Sequence, residues 1–357
     1  MKILFATPIY PPEIGGPAIY SQKLEQGLIG KGHSVEIVSY RGLKRYPQPL
    51  RFFLYFLKLF KKALGCDVIY AFNLISCGLP ACGVSMILGK KLFMRIGGDF
   101  LWERAVEAGR TKKPLREYYQ DRKTLKEKFW IILMKMIFNK TGKIIFTSKF
   151  QRDIYLKFFG FDEKKAIIIG NPFPDARQSG DNLSVANYQL LFAGRLIKLK
   201  NIDFLIRAFE TILSKTDKDL SLKIIGDGPE RQNLNGKNIV FSPAVSHRDL
   251  LEEIKQSYLC ILPSLTEITP NFALECLKLQ KPILLTKETG YFETFKDDLI
   301  FIDPKNESDL AEKIIYLLDE GNYLSYIEKI KNIPTQRSWE DVVKEHEENF
   351  IYRSNKV

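Results

Sequence analysis

Histidine and cysteine are scarce in this chain of 357 residues, which has three histidines and five cysteines. The cysteines form no Cys-x-x-Cys pair, and the histidines do not stand at the spacing of metal ligands. We therefore expect no metal. Most of the cysteines lie in or beside apolar runs, which favours buried free thiols in a reducing cytoplasm. They stand at positions 66, 77, 82, 260 and 276.

Long apolar runs are also missing, since none approaches the ~20 residues that span a bilayer. The first apolar run, Lys2–Thr7, is too short for a secretory signal and is predicted to be a strand. A protein of this kind could lie on a membrane but is not expected to cross it. The Gly-x-Gly-x-x-Gly fingerprint is absent as well, which disfavours a nicotinamide cofactor.

What the chain does contain is a regular alternation of apolar runs of about 4–8 residues with helical stretches. This pattern predicts an α/β fold with parallel sheets, and the length allows two domains. Strands are predicted at 2–7, 35–39, 68–71, 92–96, 144–147, 167–169, 188–193, 221–225, 238–242, 259–262 and 282–286. Because 171–174 breaks the pattern and 175–187 has linker composition, we expect an N-terminal domain at 1–172 and a C-terminal domain at 173–340. A final helix at 341–357 is expected to pack back on the N-terminal domain.

Charge divides the chain unevenly. Residues 1–172 hold 30 lysines and arginines against 13 aspartates and glutamates, a net charge of +17, whereas 173–357 hold 24 against 29, or −5. A basic first half indicates an anionic partner: a membrane surface, nucleic acid or a phosphorylated substrate. Two helices there, at 50–64 and 129–140, mix aromatic or aliphatic residues with lysines. They either cover the sheet or face lipid headgroups.

Several predicted strands end in loops that carry chemical groups. In the first half, Gly15 and Gly16 precede a helix that begins at Pro17, where bare amides can approach a ligand or merely form a turn. Asp99 follows Gly97 and Gly98 just past another strand. It could hydrogen-bond an acceptor hydroxyl as a base, or cap the next helix.

In the second half, Arg195 and Lys200 stand just past a strand and at the start of a helix. Cations at a helix N-terminus oppose the dipole, so an anion between them and the amides is favoured over two solvated side chains.

The stretch 264–275 adds two carboxylates to this set. It follows the short apolar run at 259–262 and leads into a helix predicted to begin near Pro270 and Asn271. Glu267 should lie in the loop and Glu275 one turn inside the helix. Carboxylates beside free helix amides suit a ligand that has both hydroxyls and phosphates.

Taken together, these motifs resemble the retaining family 4 ("group 1") glycosyltransferases of the GT-B fold over almost the whole chain. The residues that carry the resemblance are Gly15–Gly16, Gly194–Arg195 with Lys200, 226–229 (Gly-Asp-Gly-Pro), and Glu267 with Glu275 at Glu-x7-Glu spacing. The resemblance implies two Rossmann-like domains whose parallel sheets face each other across a cleft. It also implies transfer from a UDP- or GDP-linked sugar without a metal.

The resemblance assigns a role to each matching residue. Arg195 and Lys200 would hold the donor diphosphate, Glu267 the sugar hydroxyls and Glu275 the ribose. Further donor contacts would come from the loop and helix-end residues Gly15, Gly16, Gly228, Pro229, Val245, Asn271 and Phe272.

The chain departs from the family pattern in four places. Residues 268–270 (Ile-Thr-Pro) replace a Gly-aromatic-Gly sequence, and Asn201 and Gln280 stand where glycines are frequent. Relatives often have a histidine near position 99, where this chain has Asp99. We therefore interpret Asp99 as its substitute on the acceptor side.

The resulting hypothesis is a retaining glycosyltransferase in the synthesis of cell-surface polysaccharide or glycolipid. It would act on a lipid-linked or saccharide acceptor, in the cytoplasm or on the inner face of the plasma membrane, with no nucleic acid as partner. The alternatives are a GT-B nucleotide-sugar epimerase or phosphorylase, and a non-catalytic basic protein that binds membrane or nucleic acid. The last would not explain Arg195, Lys200, Glu267 and Glu275, which lie in the less basic half.

Overall fold

The structure, a computed structural model, describes residues 1–13, 15–176 and 188–351, without the side chains of Gln48 and Ile351. Positions 177–187 of the predicted linker lie outside the described residues. The chain divides into two compact units. Unit 1 comprises Met1–Leu101, Asp121–Pro172 and Arg337–Val357, and unit 2 comprises Trp102–Gln120 and Phe173–Gln336.

Unit 1 is built on a parallel sheet in the order β2-β1-β3-β4-β5-β6. Its central strands are apolar runs that are buried along their length, as expected when helices cover both faces of a parallel sheet. The strands are β1 Lys2–Thr7, β2 Ser34–Ser39, β3 Val68–Ala71, β4 Lys91–Ile96, β5 Lys143–Phe146 and β6 Ala166–Ile168.

Two helices of the N-terminal half begin at a residue whose side chain caps them, Thr124 before Leu125–Lys140 and Ser148 before Lys149–Phe159. Thr124 and Glu127 form a reciprocal capping box at the start of the first, which fixes its first turn. The helices up to residue 159 are α1 Gly16–Gly30, α2 Gln48–Ala63, α3 Gly78–Leu88, α4 Phe100–Glu107, α5 Leu115–Gln120, α6 Leu125–Lys140 and α7 Lys149–Phe159.

Unit 2 contains a second parallel sheet, in the order β12-β11-β10-β7-β8-β9. Its strands are β7 Tyr188–Ala193, β8 Leu220–Ile225, β9 Ile239–Ser242, β10 Leu259–Leu262, β11 Ile283–Thr286 and β12 Ile300–Ile302. The helices that follow residue 200 are α8 Ile202–Leu213, α9 His247–Gln256, α10 Asn271–Lys278, α11 Phe292–Phe295, α12 Glu307–Leu317, α13 Glu320–Lys331 and α14 Trp339–Ile351.

The α/β class with parallel sheets is therefore confirmed, and each predicted strand is present within one residue at either end. The strand β12 was not predicted. Within the described ranges, no helix is both long and apolar enough to cross a bilayer. All five cysteines are free and buried, as predicted.

The division of the chain differs from the prediction at residues 102–120. The sequence assigns them to the N-terminal domain, because they follow β4 directly, yet the structure groups them with unit 2. The reason is a set of polar contacts within unit 2: the Leu115 N–H donates to Thr266 Oγ1 across 2.9 Å, and Lys305 forms an ion pair with Glu117.

The C-terminal helix α14 belongs to unit 1, whose last segment begins at residue 337 rather than 341. Its Trp339 packs edge-on against Tyr20 at 5.1 Å, and Phe350 contacts Tyr70 and Phe93. Gly27 of α1 has no side chain at this interface because a Cβ there would lie 2.3 Å from Val343 Cγ2. Residues 352–357 of the predicted final helix lie outside the described part of the chain.

Candidate active site

The strand order of unit 2 creates a switch point between β7 and β10, which are adjacent in the sheet although about 70 residues separate them in sequence. On one side of this point the sheet continues through β8 and β9, and on the other through β11 and β12. Ligands of open α/β sheets bind outside the carboxyl ends of the strands at such a point. Arg195 and Lys200 follow β7 and Glu267 follows β10, so the predicted residues flank it.

Lys200 and Glu267 form an ion pair through Lys200 Nζ and Glu267 Oε1. The hydroxyl of Ser264, which is fully buried, donates to the same oxygen across 2.5 Å. The two charged side chains retain only 16% and 9% of their exposure, so the charges are largely desolvated and depend on each other. Within the described residues, the second oxygen of Glu267, Oε2, has no protein partner. That oxygen is available to accept from a ligand hydroxyl.

The backbone of Glu267 is fixed on both sides. Its N–H donates to the Glu288 carbonyl across 2.9 Å, and its own carbonyl accepts from the Gly290 N–H across 3.0 Å. The Leu265 N–H donates to the Leu199 carbonyl, which ties the loop after β10 to the turn that precedes α8. The ion pair therefore spans two loops that are also joined through their main chains.

Arg195 is exposed at the start of a loop that two glycines allow to pack closely. A Cβ on Gly226 would lie 1.9 Å from the Gly194 carbonyl oxygen, and one on Gly228 would lie 2.2 Å from that of Leu196. The Leu196 N–H donates to the Asp227 carbonyl across 2.9 Å. The loops after β7 and β8 are thus in direct contact, and Gly228 and Pro229 lie beside the Arg195 loop.

Glu275 lies on α10, as predicted, and its Oε1 is 3.1 Å from His247 Nε2. Hydrogen bonding to this carboxylate raises the pKa of His247. His247 is the first residue of α9, and Ser246 caps that helix by accepting from the Asp249 N–H. Glu275 Oε2, like Glu267 Oε2, has no protein partner among the described residues.

The predicted base-side residues follow β9. Ala244 donates its N–H to Asp227 Oδ2 across 2.9 Å, which joins the loop after β9 to the loop after β8. Val245, the next residue, is more than one-third exposed. Its position fits an apolar surface for a nucleobase.

The helix α10 begins at Asn271 directly after Pro270, in agreement with the prediction. Asn271 is exposed and Phe272 is buried. The first N–H groups of a helix have no intrahelical acceptor, so this end favours an anion near the switch point.

Two departures from the family pattern have a physical explanation. Asn201 and Gln280 have φ of 56° and 55°, in the left-handed region where glycine is most comfortable. Asn201 offsets the cost because its Nδ2 donates to the Pro263 and Pro304 carbonyls. At both positions the backbone therefore has the left-handed conformation that glycine favours, although the residue is not glycine.

The remaining predicted residues belong to unit 1. Gly15 precedes α1 with a φ of 150°, a conformation that residues with a Cβ rarely adopt, so glycine there already has a backbone reason. A Cβ on Gly16 would meet nothing within 4 Å. Gly16 thus begins α1 with open space around it, where a ligand could approach.

Asp99 is fully buried. Its Oδ2 accepts from the Tyr155 hydroxyl across 2.7 Å, and the neighbouring Gly98 carbonyl accepts from Gln151 Nε2 across 3.2 Å. The structure thus connects Asp99 to α7 of its own unit. Its role as a base toward an acceptor stays a prediction.

The sequence analysis missed three residues near the switch point. His247 could have been noticed because it opens a helix after a serine cap at a strand end. Ser264 had no signal beyond its place in the 264–275 stretch. Glu288 is half-buried, burial raises the pKa of its carboxyl, and its backbone carbonyl holds Glu267. Among the residues that the structure describes, no group of three His, Cys, Asp or Glu side chains is close enough to hold a metal.

Comparison with known families agrees with this geometry. The model for "Glycosyltransferase Family 4" matches residues 12–177, and the model for "Glycosyl transferases group 1" matches residues 178–332. The two matches together run continuously from residue 12 to residue 332.

Among curated proteins, an uncharacterized glycosyltransferase of Methanocaldococcus jannaschii is 24% identical over 390 residues, covering 97% of this chain and 96% of its own. The glycosyltransferase TuaC of Bacillus subtilis, named for teichuronic acid biosynthesis, is 30% identical over 125 residues, covering 35% of this chain and 31% of its own.

Among solved structures, WaaG, a glycosyltransferase involved in lipopolysaccharide biosynthesis, superposes with a TM-score of 0.74. The alignment covers 98% of this chain and 100% of WaaG, at 13% identity, and shows a shared GT-B fold. Because the two family models match both halves of the chain, it belongs to the group 1 glycosyltransferases of the GT-B fold.

Proposed function

We propose that this protein moves a sugar from a UDP- or GDP-linked donor to a hydroxyl acceptor, with retention of configuration at the anomeric carbon. The observation that carries the proposal is the desolvated Lys200–Glu267 pair at the switch point of unit 2, with Arg195 on the same loop as Lys200. A cation and a carboxylate held side by side fit a ligand that presents phosphate and hydroxyl groups next to each other.

The chemistry assigned to these residues is leaving-group stabilisation. The bond between the anomeric carbon and the diphosphate oxygen breaks with its electron pair on the oxygen, while the acceptor oxygen bonds to the carbon. The acceptor proton passes to a diphosphate oxygen. Lys200, Arg195 and the N-terminus of α10 stabilise the developing charge, so the protein's own cations supply what a metal supplies elsewhere.

The carboxylates hold the donor in place. Each has one oxygen anchored by protein groups, Glu267 by Lys200 and Ser264, and Glu275 by His247. The other oxygen of each is assigned to hydroxyls, those of the sugar for Glu267 and those of the ribose for Glu275. Asp99 is retained as the acceptor-side candidate.

Ligand binding and product analysis test the proposal. Thermal shift with UDP, GDP and a short RNA should show stabilisation by one nucleotide and none by RNA. A panel of UDP- and GDP-sugars with saccharide and lipid-linked acceptors should then give a product whose anomeric configuration, read by NMR, matches that of the donor. A product of inverted anomeric configuration would exclude a retaining mechanism. Conversion of the sugar nucleotide into another sugar nucleotide in the absence of acceptor would support an epimerase.

A membrane-associated acceptor is supported by the surface of unit 1. On α6, the exposed apolar residues Leu125, Phe129, Ile132 and Met136 recur at helical spacing, with exposures from 40% to 84%. A helix of a soluble domain normally turns such a stripe toward the core. On α2, a second exposed stripe consists of Leu50, Phe53 and Leu57, and the exposed Leu64 follows directly after the helix.

The helix α3 contacts both α2 and α6 and has two exposed apolar residues of its own, Met86 and Ile87. Basic side chains surround the stripes. On α6 and α2 they include the exposed residues Lys126, Lys128, Lys135, Lys140, Lys58, Lys61 and Lys62. Apolar insertion flanked by lysines matches an anionic phospholipid surface. We therefore propose peripheral binding to the inner face of the plasma membrane and a lipid-linked acceptor, for cell-surface polysaccharide or glycolipid synthesis.

Vesicle flotation tests this surface. The protein should float with vesicles containing phosphatidylglycerol at low salt and less at 0.5 M salt, because lysine contacts are screened. Replacing Leu125, Phe129 and Ile132 by serine should reduce flotation strongly, whereas Tyr316→Ser, at an exposed residue of unit 2, should not. Absence of flotation at low salt would remove the membrane proposal.

A further inference from the structure

Residues 102–120 contact the two loops that hold Lys200 and Glu267. The segment leaves unit 1 after Leu101 and returns to it at Asp121, so it belongs to unit 2 without being continuous with that unit in sequence. Two of its contacts with the site loops are made with Thr266, which precedes Glu267, and with Leu199, which precedes Lys200.

The contact at Thr266 is buried and fully paired. The Leu115 N–H donates to Thr266 Oγ1 across 2.9 Å, and the Thr266 hydroxyl donates to the Leu265 carbonyl across 2.7 Å. Leu115 is fully buried and Thr266 nearly so. A buried N–H that loses its acceptor is left with the full free-energy cost of desolvation. Any displacement of residue 266 that breaks this hydrogen bond is therefore unfavourable.

The contact at Leu199 fixes the other loop. Glu107 Oε1 accepts from the Leu199 N–H across 3.3 Å, while the Leu199 carbonyl accepts from the Leu265 N–H across 3.0 Å. The amide and carbonyl of Leu199 are therefore both bonded, one to residues 102–120 and one to the loop after β10. Lys200 is the next residue in the chain, so its backbone follows directly from this fixed one.

Residues 102–120 are held in shape by hydrogen bonds within the segment and by an ion pair to another part of unit 2. Trp102, which is buried, donates its Nε1–H to the Lys113 carbonyl across 2.8 Å, and the Arg110 N–H donates to the Ala105 carbonyl across 2.9 Å. Outside the site loops, Glu117 forms an ion pair with Lys305 at 2.6 Å. The segment thus has a defined shape and a third attachment to unit 2.

From this geometry we infer that residues 102–120 are a positioning element that sets the placement of Lys200 against Glu267, with Thr266 and Glu107 as its positioning residues. The inference rests on the proposed donor site. Neither residue is assigned contact with substrate. Each acts through the main chain beside a residue that is assigned such contact.

The test compares Thr266→Val, which removes the acceptor for the Leu115 N–H, with Thr266→Ser, which keeps it. UDP and GDP affinity is measured by calorimetry, together with kcat and KM for the sugar nucleotide that the panel identifies. Thr266→Val should weaken nucleotide binding at least tenfold, and Thr266→Ser should restore most of it. Lys112→Ala, a change at an exposed position of the same segment, should leave binding within twofold of the wild type.

A double-mutant cycle separates positioning from general stability. The quantity compared is kcat/KM for the sugar nucleotide. If Thr266 acts through Glu267, Thr266→Val should lower it little further in a Glu267→Gln background, whereas the effect of a merely structural change would add in full. Glu107→Ala, against Glu107→Gln as the control that keeps an oxygen acceptor, provides the same readout if Thr266→Val does not fold.

The outcomes are distinguishable. Wild-type affinity in both Thr266→Val and Glu107→Ala, or full additivity with Glu267→Gln, would overturn the positioning role and leave the donor site intact. Unchanged kcat and KM for the sugar nucleotide in Glu267→Gln alone would instead overturn the donor-site assignment.

Discussion

The Tyr70 hydroxyl donates to His346 Nε2 across 2.8 Å, joining β3 of the unit 1 sheet to the C-terminal helix α14. The other ring nitrogen, Nδ1, lies 2.7 Å from the Val342 carbonyl, which can only accept. The proton is therefore on Nδ1, and the ring is neutral. Burial lowers the pKa of His346 to about 3, helped by the positive charges of Arg95 and Arg337.

This neutral histidine predicts acid sensitivity. The folded state resists protonation of His346 down to about pH 3, while the unfolded chain takes up a proton below about pH 6.5. The contribution of His346 to the free energy of unfolding is therefore fully present above pH 6.5. It falls as the pH drops below that value, by about 2 kcal/mol at pH 5. Urea unfolding at pH 7.5 and pH 5 measures the loss. His346→Gln should lose less over the same interval, and an equal loss in both proteins would contradict the assignment.

Arg195 and Lys200 should separate activity from stability. Arg195→Ala should leave the melting temperature within about 2 °C of the wild type, because the side chain is exposed. Lys200→Ala should retain the fold but lower its stability, since it leaves the buried Glu267 carboxylate without its cation. Both should reduce transfer about a hundredfold or more, as expected for a lost charge stabiliser. Turnover at the wild-type level in Lys200→Ala would exclude its donor role.

His247 and Glu275 predict a small pH effect of opposite sign to that of His346. Because Glu275 raises the pKa of His247, the pair stabilises the fold fully below about pH 6.5 and loses this contribution as the pH rises through the raised pKa. The imidazole is more than half exposed, so the effect should be modest. Melting temperatures of the wild type and His247→Gln should differ more at pH 5.5 than at pH 8.5. In a Glu275→Gln background this difference should vanish.

Asn201 and Gln280 share a left-handed backbone but should respond oppositely to glycine. Gln280→Gly removes a strained side chain and should stabilise the protein by up to about 1 kcal/mol. Asn201→Gly also relieves strain but loses two hydrogen bonds, to the Pro263 and Pro304 carbonyls, and should destabilise it. Urea unfolding of both variants checks the signs. Stabilisation in both would mean that the Asn201 hydrogen bonds contribute little.

Much of the fold could be predicted because the strands of a parallel sheet are continuous apolar runs with clear ends. The strand β12 was missed because its three residues, Ile300–Ile302, are too few to stand out between acidic neighbours. The regions around Arg195, Lys200, Glu267 and Glu275 could be predicted because each follows or opens an element whose start has a sequence signal. Such signals place a residue at the end of a strand, which in a parallel sheet means at one common edge.

The contacts that set the site's fine geometry had no such signal. The Leu115 and Leu199 amides carry the link between residues 102–120 and the site loops, and main-chain groups look the same at every position in a sequence. The pairing of His247 with Glu275 joins residues 28 apart that lie on two different helices, α9 and α10. Asp99 could be placed after its strand, but its burial against Tyr155 depends on how α7 packs.

The backbone passes from one unit to the other at four places: after Leu101, Gln120, Pro172 and Gln336. A chimera joined at residue 172 would therefore mix more than two halves. It would set Glu107 and Leu115 of one parent against Leu199 and Thr266 of the other, and α1 of the first against α14 of the second. An exchange between related enzymes that keeps each unit whole needs residues 102–120 to travel with 173–336, and α14 with the N-terminal sheet.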